Sequence, residues 1–226
     1  MSAYSLRSGV AHIALDDGKV NALGSASIAD LNVHLDRALH DEASAVLLSG
    51  REGVFSAGFD LGEVRLGAAA VAHLRRQLID LELRLFEFER PVVIACTGHA
   101  LAAGAALLLA ADRRIGMEGA FRLGFNEASI GTSISAATVE LARYRMPMPW
   151  FESIISGETF SPQSARDAGL LDQVVETTAE LAEVSQIAAE TLSRVPMHVF
   201  TEMRHAARGA TADRIREERS RLADAS

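Results

Sequence analysis

The stretch TGHALAAGAALLLAAD, Thr97 to Asp112, constrains this chain more than any other part of it. Its apolar run between His99 and Asp112 is twelve residues long, well short of the ~20 that a membrane-spanning helix needs. A helix buried in a globular core is the expectation. Gly98 and Gly104 sit where such a helix would begin, a poor place for glycine unless something must approach the backbone closely. No positively charged start, apolar block and small-residue cleavage site opens the chain, so no secretory signal is expected. With 49% hydrophobic residues over 226 positions there is material for one sizeable core, or a core with an appendage. A formal charge of -8 without a basic face makes nucleic acid an unexpected partner. The lone Cys96, inside PVVIAC, reads as a small buried core residue and excludes an intramolecular disulfide. A cytoplasmic protein with no membrane attachment is the expectation.

Hydrophobic spacing orders the rest. Val10 to Asp16 alternates as a strand, and the loop DDGKVNALG follows it. Ile28, Leu31, Leu35 and Leu39 recur at helical spacing, with Ser25 or Ser27 as N-cap. AVLLS, residues 45–49, reads as a short buried strand leaving into the glycine-rich loop GREGVFSAGFDLGE. Val71, Leu74, Leu78, Leu81, Leu85 and Phe88 mark a long amphipathic helix. Arg75, Arg76, Glu82, Arg84 and Glu87 are assigned to its solvated side. Pro91 stops that helix and opens the strand PVVIACT. Another strand lies near DRRIGM, and FRLGFNEASIG reads as a loop. Beyond Ile134 the chain reads as helical, with breaks at Pro147, Pro149, Pro162, Gly169 and Pro196. DRIREERSRL is a charge-laced helix with Ile215 and Leu222 inward. Strands alternating with helices early and helices alone late predict an α/β core with a helical C-terminal part.

Familiar catalytic signatures are missing: there is no G-x-S-x-G, H-E-x-x-H, C-x-x-C or G-x-x-x-x-G-K-[ST]. The seven histidines form no ligand spacing, and His99 reads as packing or a local hydrogen bond. What remains are two glycine-rich turns, SAGFDL after AVLLS and GHALAAGA after PVVIACT. Turns at strand ends can leave backbone N–H groups aimed at one point, and a helix N-terminus adds its free donors and positive dipole end. Two such donors make an oxyanion hole. On spacing alone, glycines that merely allow tight strand-to-helix packing are an equal reading. Such a hole needs a proton handler. Glu127, in LGFNEASIG, sits in mostly apolar surroundings that raise a carboxyl pKa toward neutrality. A loop glutamate that caps the next turn is the other reading.

Together these segments resemble the crotonase (enoyl-CoA hydratase/isomerase) superfamily. DDGKVNAL is similar to its N-terminal N-A-L loop, and FSAGFDLGE to its A-G-x-D-[LI]-x-E motif. TGHALAAGAALLLAAD is similar to its N-G-x-A-x-G-G-G block, and ARDAGLLDQVV to its A-x-x-x-G-L-V-D-x-V segment. All four occur in the family's order. The resemblance implies an α/β fold, a crotonase-like spiral of ββα units over residues 1–176, with C-terminal helices over 177–226 for oligomerisation and lid. A homotrimer or dimer of trimers is implied as well. The implied substrate is an acyl-CoA thioester, with coenzyme A part of the substrate, no further cofactor and no metal.

Carried over by position, the oxyanion donors are the backbone N–H groups of Phe59 and Ala103, and Glu127 is the acid/base. Lys19, Ala22, Ala57, Gly58, Asp60, Leu61, Gly104 and Asn126 are the implied substrate-binding residues, with Lys19 or nearby arginines toward phosphate. Ala102 and Ala103 replace two family glycines and add methyl groups beside the thioester. The second hydratase glutamate would fall at Ala106, where there is no acid, and Asn126 stands where many hydratases carry proline. Single-glutamate isomerisation, 3-enoyl to 2-enoyl, is the expected reaction. Weak hydration, other enolate chemistry and non-catalytic acyl-CoA binding are the alternatives. Phe55, Phe59, Leu66, Leu74, Ile130, Ile134 and Tyr144 are candidates for an acyl tunnel or equally for core. Family members usually continue for another helix beyond EERSRLADAS. The lid and part of the CoA surface are therefore expected to be absent or supplied by a neighbouring subunit.

Overall fold

The computed structural model describes residues 2–224, apart from the side chains of Ile130, Ala223 and Asp224. An antiparallel pair opens the chain, β1 (Ser2–Arg7) and β2 (Val10–Leu15), turning through Ser8 and Gly9 at positive φ. Helix α1 (Ser25–His40) buries Ile28, Leu31, Leu35 and Ala38. Three ββα turns follow. β3 (Ala45–Ser49) and β4 (Gly53–Ser56) lead to α2 (Leu61–Val64) and α3 (Ala68–Phe86). β5 (Val92–Cys96) and β6 (Gly98–Leu101) lead to α4 (Ala103–Ala110). β7 (Arg113–Met117) and β8 (Leu123–Gly124) lead, through a 3-10 turn at Ala128–Ile130, to α5 (Ala136–Arg145). The remainder comprises α6 (Met148–Phe151), α7 (Ser153–Ser156), β9 (Thr159–Phe160), α8 (Pro162–Asp167), β10 (Gln173–Val175), α9 (Thr178–Ser193) and α10 (Met197–Asp224).

The first strand of each unit joins one sheet and the second joins another. The larger sheet runs β1-β2-β3-β5-β7-β10 and is parallel from β2 onward; the smaller runs β4-β6-β8-β9. This is the expected spiral of ββα units with C-terminal helices. Parallel strands covered on both faces are apolar throughout, as VVIAC is. Alternation splits them: Val46, Leu48, Val92 and Ile94 join the main core, while Leu47, Val93 and Ala95 pack beneath Leu181 and Ala189 of α9. Among the described residues no helix is long and apolar enough to cross a membrane.

Several expectations are corrected. Thr97 to Asp112 is not one helix: its first part is strand β6, and α4 starts only at Ala103. Gly98 serves strand approach, since a Cβ there would lie 2.1 Å from the Gly53 carbonyl group. The N-cap of α1 is Gly24, with the Ser27 hydroxyl accepting from the Gly24 N–H at 2.9 Å. α3 ends at Phe86, before Pro91 can act, and Glu82 belongs to its buried face. The C-terminal third also contains β9 and β10, strands too short to betray an alternation. Pro149 and Pro162 begin helices rather than break them, as suits a residue with fixed φ and no N–H. The two loops GREGVFSAGFDLGE and FRLGFNEASIG contain β4 and β8. On α10 Ile215 is buried, but Leu222 is 38% exposed.

Buried arginines tie α10 to the spiral. Arg208 Nη2 lies 2.8 Å from Asp112 Oδ1, Arg204 also pairs with Asp112, and Arg208 Nη1 donates to the Phe86 carbonyl at 2.7 Å. Asp112 additionally accepts from the Val92 N–H at 2.7 Å. The aspartate that closes the opening stretch thus ties two other segments, β5 and α10, to its own.

Candidate active site

Two turns are pressed together by missing side chains. After β4 the backbone passes through Gly58 at φ 95; a Cβ there would stand 2.9 Å from the Ala102 Cβ and 3.5 Å from the Ala103 nitrogen. Before α4, Gly104 lets the helix start against β4, where a Cβ would meet the Ser56 carbonyl oxygen at 2.5 Å. Leu23 bridges the first turn: its N–H donates to the Gly58 carbonyl at 2.8 Å, and its carbonyl accepts from the Asp60 N–H at 3.0 Å. Phe59 lies between those bonds, and its N–H has no acceptor among the described residues. Ala103 opens α4, so its N–H has no intrahelical acceptor. Ala102 before it adopts φ 51 and ψ -122, a conformation that a side chain disfavours. The strain sits at the junction of the two turns.

Both turns line one cleft of about 920 Å³. Asp17, Lys19, Val20 and Ala22 of the N-terminal loop line it, with Ala57, Asp60 and Leu61. Asp17 shapes that loop by accepting from the N–H groups of Lys19, Asn21 and Ala22. Arg51 fixes it too, donating to the Lys19 carbonyl at 2.7 Å. Asp60 caps α2 by accepting from the Gly62 N–H at 2.7 Å. Phe59, Ala102, Ala103, Asn126 and Glu127 line the cleft too, and Ala106 faces the same space. Val71, Arg75 and Leu78 of α3, residues 132–135, and Thr138 of α5 complete the lining.

The cleft therefore gathers Lys19, Ala22, Ala57, Phe59, Asp60, Leu61, Ala103, Asn126 and Glu127. Gly58 and Gly104 lie behind it, beneath the turns. Of the acyl-tunnel candidates, Phe59 and Ile134 face the cleft. Phe55 and Leu74 are fully buried core, Leu66 is 78% exposed, and Tyr144 packs edge-on to Phe86. Ile130's side chain falls outside the described residues. His99 accepts a 3.0 Å hydrogen bond from the Arg122 N–H and contacts the Phe121 ring, a local role as expected.

Glu127 leads the 3-10 turn, and its Oε2 is buried without a hydrogen-bond partner. Burial raises its pKa, while its own backbone amide and the Arg75 guanidinium pull the other way. Arg75 is itself held by the Ser133 carbonyl at 2.8 Å and the Thr132 hydroxyl at 3.2 Å. A second carboxyl is close. Glu82 is fully buried and accepts from Thr138 Oγ1 at 2.8 Å. Burial pushes its pKa up to about 8; the Thr138 bond opposes that rise and the Glu127 charge adds to it.

Arg75, Ser135, Thr138 and Glu82 were not among the site residues that sequence reasoning selects. A signal existed for two of them. Val71, Arg75, Leu78 and Glu82 are spaced four, three and four residues apart, one continuous helical stripe. Charge type assigned Arg75 and Glu82 to solvent, whereas position put Glu82 on the buried face and Arg75 on the cleft wall. Ser135 and Thr138 carry only an N-cap pattern, in which Ser135 accepts from the Thr138 N–H at 3.0 Å.

The profile of the enoyl-CoA hydratase/isomerase family matches residues 5–224. The crystal structure of an enoyl-CoA hydratase/isomerase family protein from Pseudomonas syringae superposes with a TM-score of 0.94 at 37% identity, covering 97% of this chain and 95% of that one. Human mitochondrial delta3-delta2-enoyl-CoA isomerase superposes with a TM-score of 0.89 at 25% identity, covering 98% and 91%. A Thermus thermophilus relative named as an enoyl-CoA hydratase is 31% identical over 156 residues, 67% of this chain. The chain spans 61% of that relative's length, and 52% of a Mycobacterium tuberculosis relative's.

Proposed function

The chain belongs to the enoyl-CoA hydratase/isomerase family, and from that premise we propose that its cleft binds an acyl-CoA thioester and isomerises a 3-enoyl chain to the 2-enoyl form. The observation that carries this reading is the content of the cleft: two N–H groups without acceptors, one carboxylate with a free buried oxygen, and alanine at position 106. Glu127 removes a proton from C2. The electron pair moves onto the thioester oxygen, which accepts from the N–H groups of Phe59 and Ala103. Each such donor contributes ~2.7–4 kcal/mol to the transition state. Collapse of the enolate with protonation at C4 leaves the double bond between C2 and C3. Lys19 and its loop hold the nucleotide end of coenzyme A, and a trimer or dimer of trimers completes the assembly.

Syn hydration is the second reading, and the Thermus relative's name favours it. Hydration needs water activated at C3 while a proton reaches C2, work that two carboxylates divide between them. With no acid at Ala106 the proposed isomerisation is the simpler chemistry. The test is proton exchange in heavy water with a 3-enoyl-CoA and a saturated acyl-CoA, read by mass spectrometry for wild type and Glu127→Gln. Glu127-dependent exchange with 2-enoyl product supports isomerisation. A 3-hydroxyacyl product from a 2-enoyl-CoA assayed in parallel identifies a hydratase, and thioester binding without exchange or turnover of any of these identifies an acyl-CoA carrier.

A further inference from the structure

Glu82 is an unusual residue to find behind an apolar cleft. Its side chain is completely shielded, Oε1 accepts from Thr138 Oγ1, and Oε2 is buried without a partner. Among the described residues no cation offsets it; the charged group that acts on it is the Glu127 carboxylate. An uncompensated buried carboxylate costs several kcal/mol, so the group is neutral and carries a proton. That proton has a path. Thr138 Oγ1 lies 2.8 Å from Ser135 Oγ, and both residues line the cleft that Glu127 and Ala106 line. Helices α3, α4 and α5, which carry Glu82, Ala106 and Thr138, pack on one another. With the carboxyl protonated the 2.8 Å contact can run the other way, Glu82 Oε1–H donating to Thr138 Oγ1, which frees the Thr138 proton for the cleft. A purely structural role would be served as well by an apolar side chain, without the desolvation cost.

We propose that Glu82 is the second proton carrier of this site, acting through the Thr138 hydroxyl, so that α3 supplies the acid that α4 lacks at Ala106. The inference rests on the isomerase reading. When Glu127 takes the C2 proton, the C2–H bond breaks and an O–H bond forms on Glu127. The dienolate then takes the Thr138 hydroxyl proton at C4, and Thr138 takes the proton of Glu82, leaving that carboxylate ionised. After product release Glu127 returns its proton to water, and Glu82 regains one from water through Ser135 and Thr138. Every turnover thus sends the C2 hydrogen to solvent and places a solvent hydrogen at C4. Thr138 touches the substrate; Glu82 is a positioning and supply residue behind it.

The fate of label decides the matter. A 3-enoyl-CoA deuterated at C2 is turned over in ordinary water, and deuterium at C4 of the product is read by mass spectrometry. Wild type should place almost none there. Glu82→Gln and Thr138→Val should carry C2 deuterium to C4, because Glu127 must now serve both ends, with kcat lowered on the order of 100-fold. Direct C2-to-C4 transfer in wild type overturns the relay, and that measurement needs no variant. So does a lowered kcat in either variant with the wild-type label pattern, the result of a merely structural role. Wild type and Glu127→Gln separate the two ideas: no isomerisation by wild type overturns the function itself, and isomerisation surviving in Glu127→Gln removes that residue as the base. Isomerisation lost in Glu127→Gln, beside an unchanged label pattern in Glu82→Gln, overturns the relay alone.

Discussion

Gly58 and Ala102 face each other so closely that a Cβ on the glycine would come within 2.9 Å of the alanine's Cβ. Their approach brings the Phe59 and Ala103 N–H groups to one cleft. Gly58→Ala would have to part the turns and would hold alanine at a φ of 95, a strain of about 1–3 kcal/mol. We expect kcat to fall about 100-fold, as for loss of one oxyanion donor. Steady-state kinetics with thermal unfolding checks both effects, and unchanged kcat would remove the turns from catalysis.

Glu127 acts as a base only when ionised, and burial raises its pKa. Activity should therefore rise with pH through that raised value and fall away on the acid side, starting at a higher pH than for an ordinary glutamate. The kcat/KM–pH profile of wild type reads this limb. Glu127→Gln should bind a saturated acyl-CoA nearly as wild type does in calorimetry, with exchange at C2 abolished.

Ala106→Glu places a carboxyl at a position that faces the cleft. Enoyl-CoA hydration should appear or rise, by about 100-fold or more if the new group activates water. Hydroxyacyl product is measured from a 2-enoyl-CoA. A folded variant without any gain would mean that residue 106 does not face the acyl group.

Glu82 links stability to pH. Its folded pKa of about 8 lies above the ordinary 4.5, so between those values the folded chain holds a proton that the unfolded chain has released. Stability from this group is full below about 4.5, declines by about 1.4 kcal/mol per pH unit up to about 8, and is level beyond. Glu82→Gln should flatten that decline in denaturant unfolding at pH 5 to 8. Identical slopes for variant and wild type would contradict a neutral Glu82.

Asp112→Ala strands Arg204 and Arg208, which are buried on α10 and paired to it. Removing one partner of a buried pair costs about 3–5 kcal/mol. Chemical unfolding should register that loss, with α10 the first element to lose hydrogen-exchange protection. A change below about 1 kcal/mol would mean that water replaces the carboxylate.

Local pattern carried a reader far here. Four ordered segments carried the family resemblance, which named Phe59 and Ala103, a loop between glycines marked Glu127, and all three line one cleft. Those features are legible because each is a rule about neighbours in the chain: a turn needs glycine, a covered strand is apolar throughout. The short strands β8, β9 and β10 escaped, being too brief to show any period. Glu82 escaped for a different reason. Its stripe on α3 was readable, yet a carboxylate is assigned to water unless something specific meets it, and that something is Thr138, 56 residues away.

Sequence by itself determined the long helices α1 and α3, the covered strands β3 and β5, the glycine turns that follow those strands, and which carboxylate sits in a loop between glycines. Only the tertiary structure decided that two turns would lose their gap at Gly58 and Ala102. It alone seated Glu82 and Thr138 in one wall, and drew Asp112 to two arginines of the last helix. Periodicity reports which face of an element is buried. What lies opposite that face is set by the packing of distant segments, and there the cost of burying a charge without a partner is decided.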